Sequence, residues 1–413
     1  MKTVVIIGGG ASGMMAALTA AEDKDNHVIL LERQQRVGRK LLATGNGRCN
    51  LTNTGATAEN YHGDDPEFVK PALEKFPPEA TLRFFGALGL LTVTEYGGRV
   101  YPLSNSANSV ADVLRFALDR AGVELHTACP AREIFRRDGG YLVRTDEGEL
   151  FAHKLIVACG GAAGAKLGGV MDGYALLTPL GHKRTKLYPA LVQLITDPEY
   201  PRSLKGVRAE VKMGLYRDGE KVSESRGELQ FTDNGVSGPA AFDLSRAAAE
   251  GGGELRIDFL RDYGPAHVLD LLRCRRERFP ALPCGELFTG MLHNRLGRML
   301  VKYSGLNAAA PLENLSAQEL ERAAAACKDF RLTLRGTEGF DSAQVTAGGI
   351  RTTGFNPETL ERAGSCPASL CAASCWMWTA TAEATISSGP GPAAGWQGGW
   401  ENDPCAKCKA PSR

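Results

Sequence analysis

The sequence predicts an α/β protein whose first domain is interrupted by inserted segments and then resumed. A run of β-branched residues, Val4–Ile7, ends at three glycines and leads into a small-residue stretch typical of a helix. A second apolar run, Val28–Leu31, ends at Glu32. The strand-then-glycine pattern returns at 155–161 and again at 344–350. Continuous apolar runs of this kind are typical of buried parallel strands.

The first glycine turn has the pattern of a dinucleotide-binding site. Gly8 permits a tight turn, Gly10 lets the backbone approach a pyrophosphate, and Gly13 lets the helix pack close to the strand. The N–H groups and dipole at the helix start favour phosphate. Glu32 follows roughly 20 residues later, where a carboxylate can accept hydrogen bonds from both ribose hydroxyls. We interpret the stretch as a dinucleotide-binding unit; the alternative is a chance glycine turn.

A loop rich in glycine and side-chain amides, Gly38–Asn53, directly follows this unit. It carries three cations, Arg39, Lys40 and Arg48. Backbone and side-chain donors of this kind suit a polar, phosphate-bearing ligand. A solvated surface loop is the alternative. Its position directly after a cofactor-binding strand favours the ligand.

The middle of the chain reads as two insertions. Residues 191–259 alternate between apolar and polar and are rich in turns, with Arg217-Asp218-Gly219 as a hairpin turn. Residues 265–330 favour helices. The expected organisation is a first domain segment at 1–190, an inserted β domain at 191–262, a helical insert at 263–335, a return segment at 336–361 and a tail at 362–413.

Composition narrows the function classes. The chain has 413 residues and a formal net charge of +1, which gives no general attraction to nucleic acid or to anionic membranes. The first strand begins at Thr3, which leaves no room for a signal peptide, and no apolar run is long enough to span a bilayer. We therefore expect a cytoplasmic protein with reduced thiols, a small-molecule substrate, no nucleic-acid partner and no metal site. A basic run is interpreted as a solvated helix face: Arg273, Arg275, Arg276 and Arg278.

Together these residues resemble one bacterial flavoprotein family, described as FAD-dependent oxidoreductases and labelled aminoacetone oxidase-like or 3-dehydro-bile acid reductase-like. The resemblance extends to about Leu360. Its most specific parts are the loop Gly38–Asn53 and the turn Thr346-Ala347-Gly348-Gly349. The other matching stretches are Gly8–Gly13, Tyr101-Pro102-Leu103-Ser104, Val157–Gly161, Asp172-Gly173-Tyr174, Gly227-Glu228, Phe231-Thr232, Ser237-Gly238-Pro239 and Val345–Ile350.

The resemblance implies a Rossmann-type FAD-binding domain with an inserted β-barrel-like domain and a small helical domain. It implies hydride transfer through FAD, on a ketone, enone or amine, with NAD(P)H as a possible transient reductant. The pyrophosphate would lie at the glycine turn, the adenine at Ala131 and the flavin near Asn46–Asn50. The implied FAD-binding residues are Gly8, Gly10, Ala11, Ser12, Gly13, Glu32, Arg33, Arg39, Lys40, Thr44, Asn46, Gly47, Cys49, Asn50, Ala131, Ala158, Cys159, Gly160, Gly349 and Ile350.

Two side chains near the expected flavin, Cys49 and Tyr101, each have two alternative roles. Cys49 either contacts the flavin or is a packed free thiol. Tyr101 either donates a proton to a reduced double bond or fills the core. No catalytic residue is assigned. Two other function classes remain, a flavin-dependent RNA-modifying protein and a nonfunctional gene product.

The last residues differ in composition from the rest of the chain. The stretch after Glu361 holds five of the 11 cysteines and all four tryptophans, and valine is absent after Val345. The family's C-terminal pattern, ending in Gly-Gly-Tyr-Asn-Leu-Gln-Trp-Ala-Trp, does not appear. Cys405-x-x-Cys408 has no second ligand pair to form a zinc site.

A frameshift accounts for this change. Met377-Trp378 must be encoded ATG TGG, and codons that start one nucleotide earlier then read valine and aspartate. Continued through Gly391, the same shift permits Gly-Asp-Cys followed by the family's pattern. We expect a frameshift after about residue 361, a tail without order, and weak or absent FAD retention. A divergent native tail is the alternative.

Overall fold

The computed structural model describes residues 1–362, 369–371 and 379–380. These residues form two compact units, one from Met1–Leu187 together with the segment from Val345 onward, the other from Tyr188–Gln344. None of the helices described is long and apolar enough to cross a bilayer.

The first unit begins with sixteen helices and strands, before short 3-10 turns are counted. In chain order they are β1 Lys2–Ile7, α1 Ala11–Ala20, β2 Asn26–Leu31, β3 Thr52–Asn53, β4 Tyr61–His62, α2 Lys70–Lys75, α3 Pro78–Ala87, β5 Thr92–Thr94, β6 Arg99–Pro102, α4 Ala107–Arg120, β7 Glu124–His126, β8 Ala131–Arg137, β9 Gly140–Thr145, β10 Gly148–Ala152, β11 Lys154–Val157 and α5 Asp172–Leu177.

The second unit contributes seven strands and five helices, and the described part of the chain after it contains three short strands. The elements of the second unit are β12 Tyr188–Ala190, β13 Leu194–Thr196, α6 Glu199–Ser203, β14 Arg208–Arg217, β15 Glu220–Phe231, β16 Gly235–Ser237, α7 Pro239–Ala249, β17 Gly253–Asp258, α8 Pro265–Arg278, α9 Asn294–Tyr303, α10 Ala317–Lys328 and β18 Phe330–Thr337. The first unit then resumes with β19 Val345–Ala347, β20 Ser369–Cys371 and β21 Thr379–Ala380.

A parallel sheet of five strands organises the first unit, in the order β20-β11-β1-β2-β7. β1 lies at its centre, and its apolar residues are buried on both faces of the sheet: Val5 and Leu155 belong to one core cluster, Ile6 and Leu30 to the other. Burial on both faces explains why these strands read as continuous apolar runs. The predicted Rossmann-type α/β class is confirmed.

The second unit is built around a closed six-stranded barrel, in the order β13-β16-β15-β14-β17-β18. The long hairpin β14–β15 turns at Asp218 and Gly219, both with positive φ (50° and 84°). Such a turn matches the twist of the two strands. The predicted β-barrel-like insert and its hairpin turn are therefore confirmed.

The helices of the second unit share one core with the barrel. Leu272 of α8, Leu300 of α9 and Leu320 of α10 lie in the same cluster as Val211 and Leu255 of the barrel strands. The barrel and the helices therefore pack as one body, and the bounds 191–262 for a β domain and 263–335 for a helical insert stay a prediction. The last strand, β18, closes the barrel from within the range expected to be helical.

The return segment also extends further than expected. Ser369–Cys371 pairs in parallel with Leu155–Val157 at the edge of the sheet. Thr379–Ala380 pairs with Tyr61–His62. At these five residues the chain has strand structure, because the edge strand offers backbone groups to pair with. The expected tail without order stays a prediction. The rest of 363–413 lies outside the described residues.

Phe330 provides a test of the shared core. Its side chain is fully buried and its ring lies 4.8 Å from that of Tyr303 and 5.7 Å from that of Phe259. Phe330→Ala should lower the free energy of unfolding by about 3–5 kcal/mol because it leaves a cavity. The matched control, Phe279→Ala at a 52% exposed position, should change it by about 0.5 kcal/mol or less. Urea unfolding of both variants measures the difference; equal effects would contradict a common core.

Candidate functional site

The three glycines of the dinucleotide-binding pattern, Gly8, Gly10 and Gly13, have three different environments. Gly8 has φ +109°, and a Cβ there would lie 2.5 Å from the carbonyl oxygen of Ala158. A Cβ on Gly13 would lie 1.8 Å from the carbonyl oxygen of Gly8. Around a Cβ on Gly10, no heavy atom of the described residues comes within 4 Å. Gly8 and Gly13 are therefore required for packing, whereas Gly10 leaves an open approach to the backbone.

Helix α1 presents its N-terminus at this open surface. It begins at Ala11, and Gly10 before it has no side chain to cap the helix. The N–H groups of Ala11, Ser12 and Gly13 have no intrahelical acceptor, since their positions are in the first turn. No acidic residue lies in that turn to neutralise the positive end of the dipole. The arrangement suits a phosphate or diphosphate group.

Glu32 lies beside this turn. Its carboxylate accepts hydrogen bonds from the backbone N–H of Gly9 at 2.8 Å and of Gln34 at 2.7 Å. These bonds fix the orientation of the carboxylate and leave lone pairs for further donors. The carbonyl oxygen of Glu32 accepts from the N–H of Cys129 at 2.9 Å. This bond holds the segment that leads into β8, where Ala131 is the first residue, against the end of β2.

The second strand-then-glycine stretch lies against the first. The N–H of Ala158 donates to the carbonyl of Ile7 at 2.7 Å, and the thiol of Cys159 lies 3.6 Å from the same oxygen. Gly160 has φ +78° and turns the chain away from the sheet. These three residues border the glycine turn, and their contact with the cofactor stays a prediction.

The cations after Glu32 bridge loops of the first unit. The Lys40 ammonium donates to the carbonyl of Ala163 at 2.6 Å, and burial lowers its pKa. Arg39 donates to the side-chain oxygen of Gln34 at 2.7 Å, and Arg33 to the carbonyl of Gly168 at 3.4 Å. Lys40 and Arg33 thus tie the 160–168 loop to the segment that follows Glu32.

The loop 41–50 has a strained backbone. Asn46 and Cys49 have positive φ (56° and 63°), a backbone conformation that residues other than glycine seldom adopt. Gly47 (φ +84°) lies between them, and the N–H of Cys49 donates to the carbonyl of Thr44 at 3.0 Å. The side-chain amide of Asn50 lies 3.2 Å from the carbonyl of Val100. Strain of this kind is typical of functional sites.

The thiol of Cys49 is buried in the core of the first unit. It is 3% exposed and belongs to the same cluster as Met14 and Ala158. Burial raises its pKa to about 11. Cys49 is therefore a neutral thiol at pH 7, and of its two interpretations the packed free thiol describes its environment.

A cluster around Arg48 was not anticipated as a unit. Its guanidinium lies 3.9 Å from the centroid of the Tyr101 ring and pairs with the carboxylate of Glu95. It also donates to the side-chain oxygen of Asn105. The bond to Arg48 lowers the pKa of Glu95. The Tyr101 ring is thus covered by a cation held from two other sides, and only the three-dimensional fold brings these residues together.

Two threonine hydroxyls connect the return segment to other parts of the first unit. The N–H of Ala163 donates to the hydroxyl of Thr346 at 2.9 Å. The N–H of Gly349 donates to the hydroxyl of Thr185 at 3.0 Å. Ile350, at 1% exposure, anchors the turn in the core. Gly349 and Ile350 therefore lie in a segment fixed against the 160–163 loop, with Ile350 as a packing residue.

The geometry fits an adenine dinucleotide at its diphosphate and ribose ends. An open glycine backbone, an unneutralised helix N-terminus and an oriented carboxylate lie side by side in the first unit. These are the donors and acceptors that a diphosphate and a ribose require. Backbone N–H groups of Gly9 and Gln34 fix the position of the carboxylate.

Three comparisons place the chain among known proteins. A family model described as HI0933-like protein Rossmann domain matches residues 2–370. The 3-dehydro-bile acid delta(4,6)-reductase of Clostridium scindens is 39% identical over 82% of this chain and 83% of its own. The ribosomal RNA dihydrouridine synthase of Escherichia coli is 25% identical over 81% and 82%. Among solved structures, the 3-ketosteroid delta1-dehydrogenase of Sterolibacterium denitrificans gives a TM-score of 0.47 at 13% identity, covering 95% and 97%.

Alanine variants of Gly10 and Gly13 distinguish a role in cofactor binding from a role in packing. Gly13→Ala should destabilise the protein strongly, because its Cβ would overlap a carbonyl oxygen 1.8 Å away. Gly10→Ala should cost about 1 kcal/mol or less, the difference between glycine and alanine before a helix. It should nevertheless weaken FAD binding at least about tenfold, roughly 1.4 kcal/mol, because the Cβ occupies the open approach. Thermal unfolding and FAD titration measure the two effects; unchanged FAD affinity in Gly10→Ala would contradict the assignment.

The neutral state of Cys49 is tested by alkylation. At pH 7 iodoacetamide should label the exposed Cys274 much faster than Cys49, because only the thiolate reacts and burial disfavours it. Peptide mapping by mass spectrometry gives the two rates. Labelling of Cys49 at the rate of Cys274 in the folded protein would show an exposed or activated thiol instead.

Proposed function

The chain belongs to the HI0933-like protein Rossmann domain family, and on that basis we propose that it is an FAD-dependent oxidoreductase that reduces a carbon–carbon double bond conjugated with a carbonyl. The observation that carries the proposal is the 39% identity, over 82% of the chain, with the 3-dehydro-bile acid delta(4,6)-reductase. The glycine turn and Glu32 supply the matching cofactor geometry.

The substrate class follows from what the relatives' reactions share. A delta(4,6)-reductase and a dihydrouridine synthase each yield a product in which a carbon–carbon double bond has been reduced. In a 3-dehydro bile acid and in uridine that bond is conjugated with a carbonyl, which makes its far carbon a hydride acceptor. We therefore favour an enone over the ketone and amine classes that the sequence left open. The higher identity favours a small organic substrate over RNA.

FAD, when bound, supplies the hydride chemistry of this reaction. The chain's own residues bind and orient it: the N–H groups of Ala11–Gly13 at the diphosphate, and the Glu32 carboxylate at the adenosine ribose. Lys40 and Arg39 add positive charge nearby. Cys49 stays a neutral thiol and is not proposed as a thiolate relay. We propose NADH or NADPH as the reductant. Because residues 155–161 lack a second complete glycine fingerprint, we propose that the nicotinamide binds transiently and not in a domain of its own.

An anaerobic reduction assay tests the proposed function. The FAD-loaded protein is reduced with NADH or NADPH in a stopped-flow instrument and then mixed with a 3-keto-4,6-diene steroid or a saturated 3-ketosteroid. In a separate arm the oxidised protein is mixed with an amine, which could only reduce the FAD. Reoxidation of the reduced FAD by the dienone, with no reoxidation by the saturated ketone and no reduction by the amine, is expected. Reoxidation by the saturated ketone alone, or reduction of FAD by the amine, would contradict the enone class.

Glu32→Gln tests the ribose contact. Replacing the carboxylate by an amide should weaken FAD binding about tenfold. The amide NH2 group cannot accept a hydrogen bond from a backbone N–H or a ribose hydroxyl, as the carboxylate oxygen does. FMN, which lacks the adenosine, is the control ligand, and its affinity should not change. Equal weakening for both ligands would show that Glu32 acts through the fold.

A second candidate is reduction of uridine in RNA. It is favoured by the 25% identity with the dihydrouridine synthase of Escherichia coli. Ribosomal RNA lacking dihydrouridine is the substrate for this arm, and dihydrouridine is measured by mass spectrometry. Formation of dihydrouridine together with inactivity on the dienone would replace the first proposal by the second.

We also propose that a frameshift after about residue 361 changed the C-terminus. The composition change and the shifted codons at Met377-Trp378 support it. Resequencing the 3′ end of the gene tests it directly, and an intact frame encoding the same tail would refute it. If the frame is shifted, the frame-restored protein should purify with stoichiometric FAD and the chain as printed should not. The activity assays above are therefore run on both.

A further inference from the structure

A group of metal-ligand side chains lies at the edge of the first unit. His126 is the last residue of β7, Cys129 follows three residues later, and Glu147 lies in the turn between β9 and β10. One ligand atom from each side chain lies within 4.8 Å of the other two. We propose that the His126 ring nitrogen, the Cys129 thiolate and a Glu147 carboxylate oxygen bind a zinc ion. The sequence analysis expected no metal site.

A neighbouring carboxylate orients the histidine for this task. Glu124 accepts a hydrogen bond from Nε2 of His126 at 2.6 Å, so Nε2 carries the proton. In the neutral ring Nδ1 then has the free lone pair. Nδ1 faces Glu147, at 3.7 Å from its Oε2. A carboxylate behind the ring is the usual support of a metal-binding histidine.

The His126 and Glu147 ligand atoms lie close to the spacing of two ligands on a tetrahedral ion, and the Cys129 sulfur lies within 4.8 Å of both. Two ligands at about 2.05 Å from zinc lie about 3.4 Å apart. The observed 3.7 Å between Nδ1 and the Glu147 oxygen therefore needs an adjustment of a few tenths of an ångström. Glu147 is exposed and can supply it by rotation, whereas Cys129 is 2% exposed and fixed.

The backbone around the group is held in place. The N–H groups of Ala128 and Cys129 donate to the carbonyls of Gln34 and Glu32, at 2.8 and 2.9 Å. Ala128 has φ +55°, which turns the chain between His126 and Cys129. The N–H of Glu147 donates to the hydroxyl of Thr145 at 3.1 Å. The site is thus positioned before an ion arrives.

The donor set selects the kind of ion. A nitrogen, a sulfur and an oxygen ligand suit zinc, whereas calcium and magnesium prefer oxygen ligands alone. Thiolate and carboxylate together balance the charge of a divalent ion, and the thiol proton is released to solvent on binding. Three protein ligands leave a fourth position for water, and the exposed side of His126 and Glu147 gives access to it.

Cobalt(II) provides the probe, because its thiolate complexes absorb in the near ultraviolet and four-coordinate cobalt absorbs strongly in the visible. Flavin-free full-length protein is titrated with cobalt(II) and difference spectra are recorded. One equivalent should give both absorptions, and zinc should displace them. Absence of a thiolate band at one equivalent would overturn the proposal and leave a surface ion-pair cluster.

Variants separate this group from the other cysteines. Cys129→Ser and Glu147→Gln should abolish or weaken the bands at least about tenfold, and Glu124→Gln should weaken binding about 10–100-fold. Glu147 is exposed, so its variant keeps the test valid if Cys129→Ser does not fold. Cys274→Ser and the double variant Cys405→Ser/Cys408→Ser are controls and should retain the bands. Loss of the bands in the double variant, or their survival in Cys129→Ser, would overturn the proposal.

Discussion

The close approach of helix α1 to the glycine turn is the constraint on which the site depends. The space between Gly13 and the carbonyl of Gly8 excludes a Cβ atom, so the helix can reach this position only with glycine at position 13. The approach places the first turn of α1 next to Glu32 at the end of β2. Helix dipole, free N–H groups and carboxylate then meet in one place, which is what an adenine dinucleotide needs.

The loops around this turn are held by protein–protein contacts. Lys40 bonds to the 160–163 loop, Thr346 bonds to the same loop from the return segment, and the chain before Ala131 is bonded to Glu32. A site assembled in this way costs little ordering free energy on binding, because its groups already occupy fixed positions.

The parts of the fold that follow from local pattern were predictable. Apolar runs, glycine positions and Asp218-Gly219 act over a few residues, so the sequence reveals the parallel strands and the hairpin. The membership of β18 in the barrel was not predictable, because its alternation fits any half-buried strand and the partner strands lie more than 70 residues away. The helices α8, α9 and α10 do lie within the range 265–330 that the sequence indicates as helical.

The same distinction applies to the site. Glu32 can be proposed from the sequence because it stands at a fixed distance from the glycines. The contacts of Arg48 with Tyr101, Glu95 and Asn105 join residues about 50 positions apart and have no local signature. His126 and Cys129 have the spacing of a ligand pair, but Glu147 completes the group only through the pairing of β8 with β9.

The inferred binding of FAD at the glycine turn is tested most directly by a crystal structure of the full chain with ADP, the part of FAD that the glycine turn and Glu32 are inferred to bind. We expect the diphosphate to lie against the N–H groups of Ala11–Gly13 and both ribose hydroxyls to contact the Glu32 carboxylate. ADP bound elsewhere, or a Glu32 carboxylate without contact to the ribose, would contradict it.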